Sequence, residues 1–166
     1  IVNGYLALGR LYRGIICNSV RQYALLGDAA SMTDGIIGND DDRWVFTENN
    51  PGREMSTAAA LAASYRTLKG FNDTLANHCL GIAKEIFDAG ADYAASRPGA
   101  PASNVRRPNM SKIQTAVELY LGTGDAKYFD YIMANWDAIA ASVGQCGWYM
   151  ARIEQQLEGN KKYKKQ

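Results

Sequence analysis

Between Gly38 and Arg53 the chain reads GNDDDRWVFTENNPGR, a stretch that sets two aromatic side chains among many hydrogen-bonding ones. Trp44 and Phe46 offer flat apolar surfaces. Asp40, Asp41, Asp42, Arg43, Glu48, Asn49, Asn50 and Arg53 offer charged and amide groups. This mixture suits a sugar ring, whose C–H face stacks on aromatic rings and whose hydroxyl edge takes paired hydrogen bonds from carboxylates and guanidinium groups. The same composition also fits an ordinary loop in which Trp44 plugs a core and Arg43 pairs with an aspartate. Calcium is a poorer match, because three adjacent aspartates lack the spaced ligands and the glycine of an EF-hand loop.

Directly after this loop comes STAAALAASYRTLK, Ser56 to Lys69. Alanine and leucine favour a helix, and small side chains let neighbouring helices approach closely. The segment is apolar nearly all round, so it is expected to be buried on most sides. Pro51 and Gly52 punctuate before it, and Gly70 closes it. The next helix is amphipathic: Leu75, Cys79, Ile82, Ile86 and Tyr93 fall on one stripe, with Asp73, Asn77, Lys84, Asp88 and Asp92 opposite. His78, the single histidine, borders that stripe and reads as a partly buried structural residue.

Ser96 to Pro108 breaks the helical order with Pro98, Pro101 and Pro108 and reads as a surface connection. A second hairpin follows. Ser111 and Gln114 give a capping-box signal, Ile113 to Leu121 a helix, Gly122 to Gly124 a turn, and Asp125 the cap of a helix through Ala141. Trp148 to Leu157 supplies a last short helix. Near the front, Ser19 to Leu26 reads as a short helix and Gly27 to Gly35 as a turn-rich loop. Gly70 and Gly122, like Asp73 and Asp125, recur at a spacing of 52 residues. Repeated helix-turn-helix units of this kind predict an all-α array of αα-hairpins, with apolar inner helices wrapped by amphipathic outer ones.

The 166 residues fit one domain or part of a larger one, so residues 1–166 are expected to form a single, partial domain. With 18 Lys and Arg against 17 Asp and Glu, no global field would draw the chain to nucleic acid or to a membrane surface. The basic run Lys161, Lys162, Lys164 and Lys165 reads as a solvated end. Cys17, Cys79 and Cys146 form neither a disulfide framework nor a zinc site, although a single bridge stays open. No apolar run is long enough for a membrane span. No cofactor and no metal are expected.

The order DDRWVFTENNPG, then AAALAASYRTLKGFND, LANHCLGIAKEIFD and AVELYLGTGDAKYFD, resembles glycoside hydrolase family 9, the cellulase family, over roughly Ile37 to Ala141. The resemblance implies an (α/α)6 toroid of inner and outer helices with a sugar-binding cleft, and inverting hydrolysis of β-1,4-glucans. It also implies a secreted or periplasmic location. By position, Asp41, Arg43 and Trp44 correspond to a loop that lines the cleft and holds substrate. Inversion requires one carboxylic acid to protonate the leaving oxygen and a second carboxylate to activate water. The family places its base on a DAGD-type motif and its acid on a late glutamate, and neither is recognisable here. GDAASMTD has the wrong order, and Glu154 and Glu158 read as surface charges, so no catalytic residue is assigned. The expected partners are a polysaccharide or oligosaccharide and, since fewer helices are readable than a toroid needs, the rest of the catalytic domain or another copy of the chain. The rival reading is a non-catalytic helical-repeat scaffold that binds a protein partner.

Overall fold

The computed structural model describes residues 1–12, 14–17, 36, 43–46, 50–90 and 109–159. They fall into two compact units, Ile1–Asn49 and Asn50–Gln166. The expected helix at Ser19 to Leu26, the loop at Gly27 to Gly35, the Pro-rich connection, Tyr93 and the basic end lie outside the described residues.

In the first unit, helix α1 (Val2–Leu8) ends at Gly9, whose φ of 67° lets its N–H return to the Tyr5 carbonyl at 2.8 Å. Strands β1 (Gly14–Cys17) and β2 (Arg43–Phe46) pair antiparallel, with Gly14 opposite Phe46 and Cys17 opposite Arg43. Arg43–Phe46, expected inside a loop, is a strand. Trp, Val and Phe in succession favour extended backbone, and a partner strand supplies the ladder that fixes it.

The second unit is helical throughout its described elements. Helix α2 (Pro51–Leu68) begins five residues earlier than the alanine run suggests. Asn50 accepts the Arg53 N–H at 3.1 Å and Pro51 opens the helix, where its missing N–H costs nothing. Met55, Ala58, Ala59, Leu61, Ala62 and Tyr65 are buried, yet Ser56, Ala60 and Thr67 leave an open strip, so the helix is not covered on every side.

A tight turn leads into helix α3 (Asp73–Ala89). Gly70 takes a φ of 88° there and donates to Asp73 Oδ1 at 2.8 Å, while Asn72 supplies the helix cap at Leu75. Asp73 therefore holds the turn rather than the cap. The apolar stripe is as expected from the spacing: Ala76, Cys79, Ile82, Ala83, Ile86 and Phe87 are buried, and each large aliphatic one contributes about 1.5–3 kcal/mol. His78 is exposed, outside the stripe it was expected to border.

Helix α4 (Met110–Thr123) is capped by Asn109, not by the Ser111–Gln114 pair, which lies inside its first turns. It ends at Gly124 with φ 70°, so the left-handed glycines Gly70 and Gly124 recur at a slightly longer spacing than Gly70 and Gly122 suggested. Asp125 caps α5 (Ala126–Ala134) as expected. The predicted long helix then breaks at Asn135 into α5 and α6 (Trp136–Ala140), because the Asn135 amide donates to the Tyr131 carbonyl at 2.8 Å and competes with the helical ladder. A third pair, α7 (Val143–Met150) and α8 (Glu154–Glu158), is joined by a 3₁₀ turn at Ala151–Ile153.

α2 and α4 run parallel and in contact. The Thr115 hydroxyl reaches the Met55 carbonyl near their starts, and a Cβ on Gly122 would lie 3.1 Å from the Tyr65 ring near their ends. α3 and α5 flank them. Phe87 meets Tyr128 and Tyr131 edge-on at 5.2 and 5.3 Å, and Lys112 from α4 places its ammonium 4.8 Å from the Phe87 ring. Inner helices with outer helices folded back on them are thus the architecture of this unit.

Candidate functional site

Of the three residues expected to hold substrate, Arg43 and Trp44 open β2, opposite Cys17 and Ile16 in the ladder, and Asp41 lies outside the described residues. A strand position fixes the backbone of Arg43 and Trp44 through hydrogen bonds to β1, which a loop would not do.

Four carboxylates of the helical unit are committed to architecture. Asp73 and Asp125 accept backbone N–H groups at 2.8 and 3.0 Å. Asp88 takes the Lys127 ammonium at 2.5 Å, and this hydrogen bond holds Lys127 above its ordinary pKa. Glu118, with a side chain only 4% exposed, receives Arg66 on one carboxylate oxygen and Arg152 on the other. A buried carboxylate with a guanidinium on each oxygen is placed to hold elements together rather than to meet a substrate. The sequence reading passed over this cluster. Its signal was a charged residue inside the apolar run TAVELYL, since a buried charge needs a partner.

Buried polar groups gather at the start of α4 as well. Lys112 donates to the Gly90 carbonyl at 2.6 Å and so caps the end of α3, and Asn109 is buried beside it. An open cleft of about 400 Å³ lies between α6 and the third hairpin, lined by Trp136, Ile139, Cys146, Met150, Glu154 and Leu157 among others. Glu154, expected as a surface charge, is exposed and stands at this cleft. The lining is mainly apolar and lacks the convergent polar groups that orient a sugar. Burial pushes the Cys146 thiol and the Tyr149 phenol beside it upward, so both stay neutral at ordinary pH. Cys79 and Cys146 are free thiols. Among the described residues no group of three or more His, Cys, Asp or Glu side chains is placed to hold a metal ion, and no helix is long and apolar enough to cross a membrane.

The family model of glycosyl hydrolase family 9 matches residues 23–161, most of the chain. The chain belongs to glycosyl hydrolase family 9. No solved structure matches it. For a family 9 chain the inner and outer helices above are hairpins of the (α/α)6 barrel, an all-α fold, and glycosidase chemistry on a polysaccharide follows at the level of the family. The match takes in β2, the strand that carries Arg43 and Trp44, but not its partner β1.

Proposed function

We propose that this chain is part of a family 9 catalytic domain acting on β-1,4-glucan by inverting hydrolysis, and that it grips the sugar through Asp41, Arg43 and Trp44. The observation that carries the reading is the family match running through a strand that opens with Arg43 and Trp44. Trp44 stacks on the C–H face of a glucosyl ring; Arg43 and Asp41 bond its hydroxyl edge. Residues 1–166 act as one partial toroid, and further hairpins from the rest of the domain or from another copy complete the barrel. The acid and base required for inversion stand roughly 6.5–9.5 Å apart in such enzymes, and neither recognisable motif is in this sequence. Alone, the chain binds β-glucan weakly and does not cleave it.

Titration with cello-oligosaccharides, followed by tryptophan fluorescence and calorimetry, tests this. Trp44→Ala and Arg43→Ala should each weaken binding by about tenfold, near 1.4 kcal/mol, with unfolding midpoints unchanged. Binding indifferent to both substitutions would leave a protein-binding helical scaffold as the better account. Reducing-sugar release by this chain, lost on changing one of its own carboxylates, would overturn the claim that it lacks the catalytic pair.

A further inference from the structure

Three elements converge on one buried carboxylate. Arg66 lies in the last turn of α2, Glu118 in α4, and Arg152 in the 3₁₀ turn between α7 and α8. Arg66 binds Oε2 and Arg152 binds Oε1, so the two guanidinium groups divide the carboxylate between them. The arginine side chains are 28% and 35% exposed against 4% for Glu118. Arg66 stands in the last turn of α2, where unpaired carbonyls favour a cation.

The other ties of the third hairpin are mostly apolar, with weak directional contacts such as the Cys146 thiol donating to the Ile139 carbonyl at 3.4 Å. α7 has eight residues and α8 has five, lengths that do not hold a helix in water without tertiary contacts. Val143 and Trp148 on α7 are 66% and 62% exposed. The Tyr149 hydroxyl reaches the Met110 carbonyl at 3.3 Å, a long hydrogen bond. Cys146, Tyr149, Met150, Ile153 and Leu157 are buried, but apolar burial is nondirectional and does not by itself fix the seat of the hairpin. The first two hairpins hold each other through α2 and α4, in contacts that do not involve Arg152.

We propose that Arg66–Glu118–Arg152 is an ionic latch: Glu118 seats the third hairpin on the first two, and releasing Arg152 frees α7–α8 and opens out the cleft they line while the first two hairpins stay folded. An ionic contact suits this role because removing one partner of a buried pair leaves a charge that must be resolved, whereas loss of an apolar contact is spread over many neighbours.

Hydrogen–deuterium exchange on the full chain, read segment by segment, tests the latch. Arg152→Gln leaves Glu118 paired with Arg66 and should raise exchange across residues 143–158 by about tenfold or more, with residues 51–68 and 73–89 within about threefold of wild type. Arg152→Lys, which restores a cation, should return 143–158 to within about threefold of wild type. Glu118→Gln should reproduce the release; if it does not fold, the two Arg152 variants decide alone. Equal loss of protection in all helices, unchanged protection over 143–158 in Arg152→Gln, or failure of lysine to restore it would each overturn the proposal.

Discussion

Thr115 sits fully buried on α4 with its hydroxyl 2.8 Å from the Met55 carbonyl of α2 and 2.8 Å from the Ser111 carbonyl one turn back. A hydroxyl has one proton, so the two carbonyls share it. Both carbonyls lie inside helices, and Met55, the fifth residue of α2, lies where the two inner helices meet near their starts. Thr115→Val keeps the shape and removes the donor. It should cost about 1–2 kcal/mol, read as a lowered urea midpoint with an unchanged slope. A midpoint within error of wild type would assign the contact to packing alone. Nothing in the run QTAVELY distinguishes this threonine from a surface one. Its partner lies 60 residues away, and that distance is why a linear pattern does not disclose it.

At the scale of elements, what sequence discloses depends on how local the cause is. The stripe of α3 and the Asp125 cap of α5 are set by neighbours within a turn or two, and both were legible. The start of α4 was not, because Ser111 and Gln114 satisfy the capping pattern while Asn109, buried just after the Pro-rich connection, does the capping. Asn109 N-caps a helix whose first turns carry Lys112, Ile113 and Thr115, all buried. Asn109→Ala should therefore destabilise the unit by about 1–2 kcal/mol, whereas Ser111→Ala, half-buried and inside the helix, should cost less than about 0.5 kcal/mol. Thermal unfolding of the two variants side by side decides between the caps. The break at Asn135 was hidden for a different reason: apolar spacing continues across it, and only the hydrogen bond from the Asn135 amide to the Tyr131 carbonyl interrupts the ladder. Strand β2 was missed because its partner β1 lies far away in sequence, and a four-residue strand carries too little pattern of its own.

For the whole molecule, the hairpin order and the passage from RWVF to an alanine-rich helix made family and fold legible together, since both are written in long stretches. The proposed grip on substrate was less so, because a short loop sequence names candidate residues such as Asp41, Arg43 and Trp44 without fixing which of them meets a sugar. One property of the whole follows from what is buried. Cys79, Cys146, Tyr128 and Tyr149 all have raised pKa values, each chiefly through burial. In the unfolded chain these groups ionise at their ordinary values, the thiols first. The folded protein then binds more protons than the unfolded one, so stability is fully present below about pH 8.5 and falls as pH rises toward the folded values. At pH 10 each thiol should contribute at most about 2 kcal/mol to the loss, with the tyrosines adding more at higher pH. Urea unfolding at pH 7, 8.5 and 10 should give similar midpoints at the first two and a clear drop at the third. Replacing both thiols, Cys79→Ala with Cys146→Ala, lowers stability at every pH through lost packing but should shrink the drop between pH 8.5 and 10. An unaltered drop in that double variant would place the alkaline sensitivity in other groups and remove the two buried thiols as its cause.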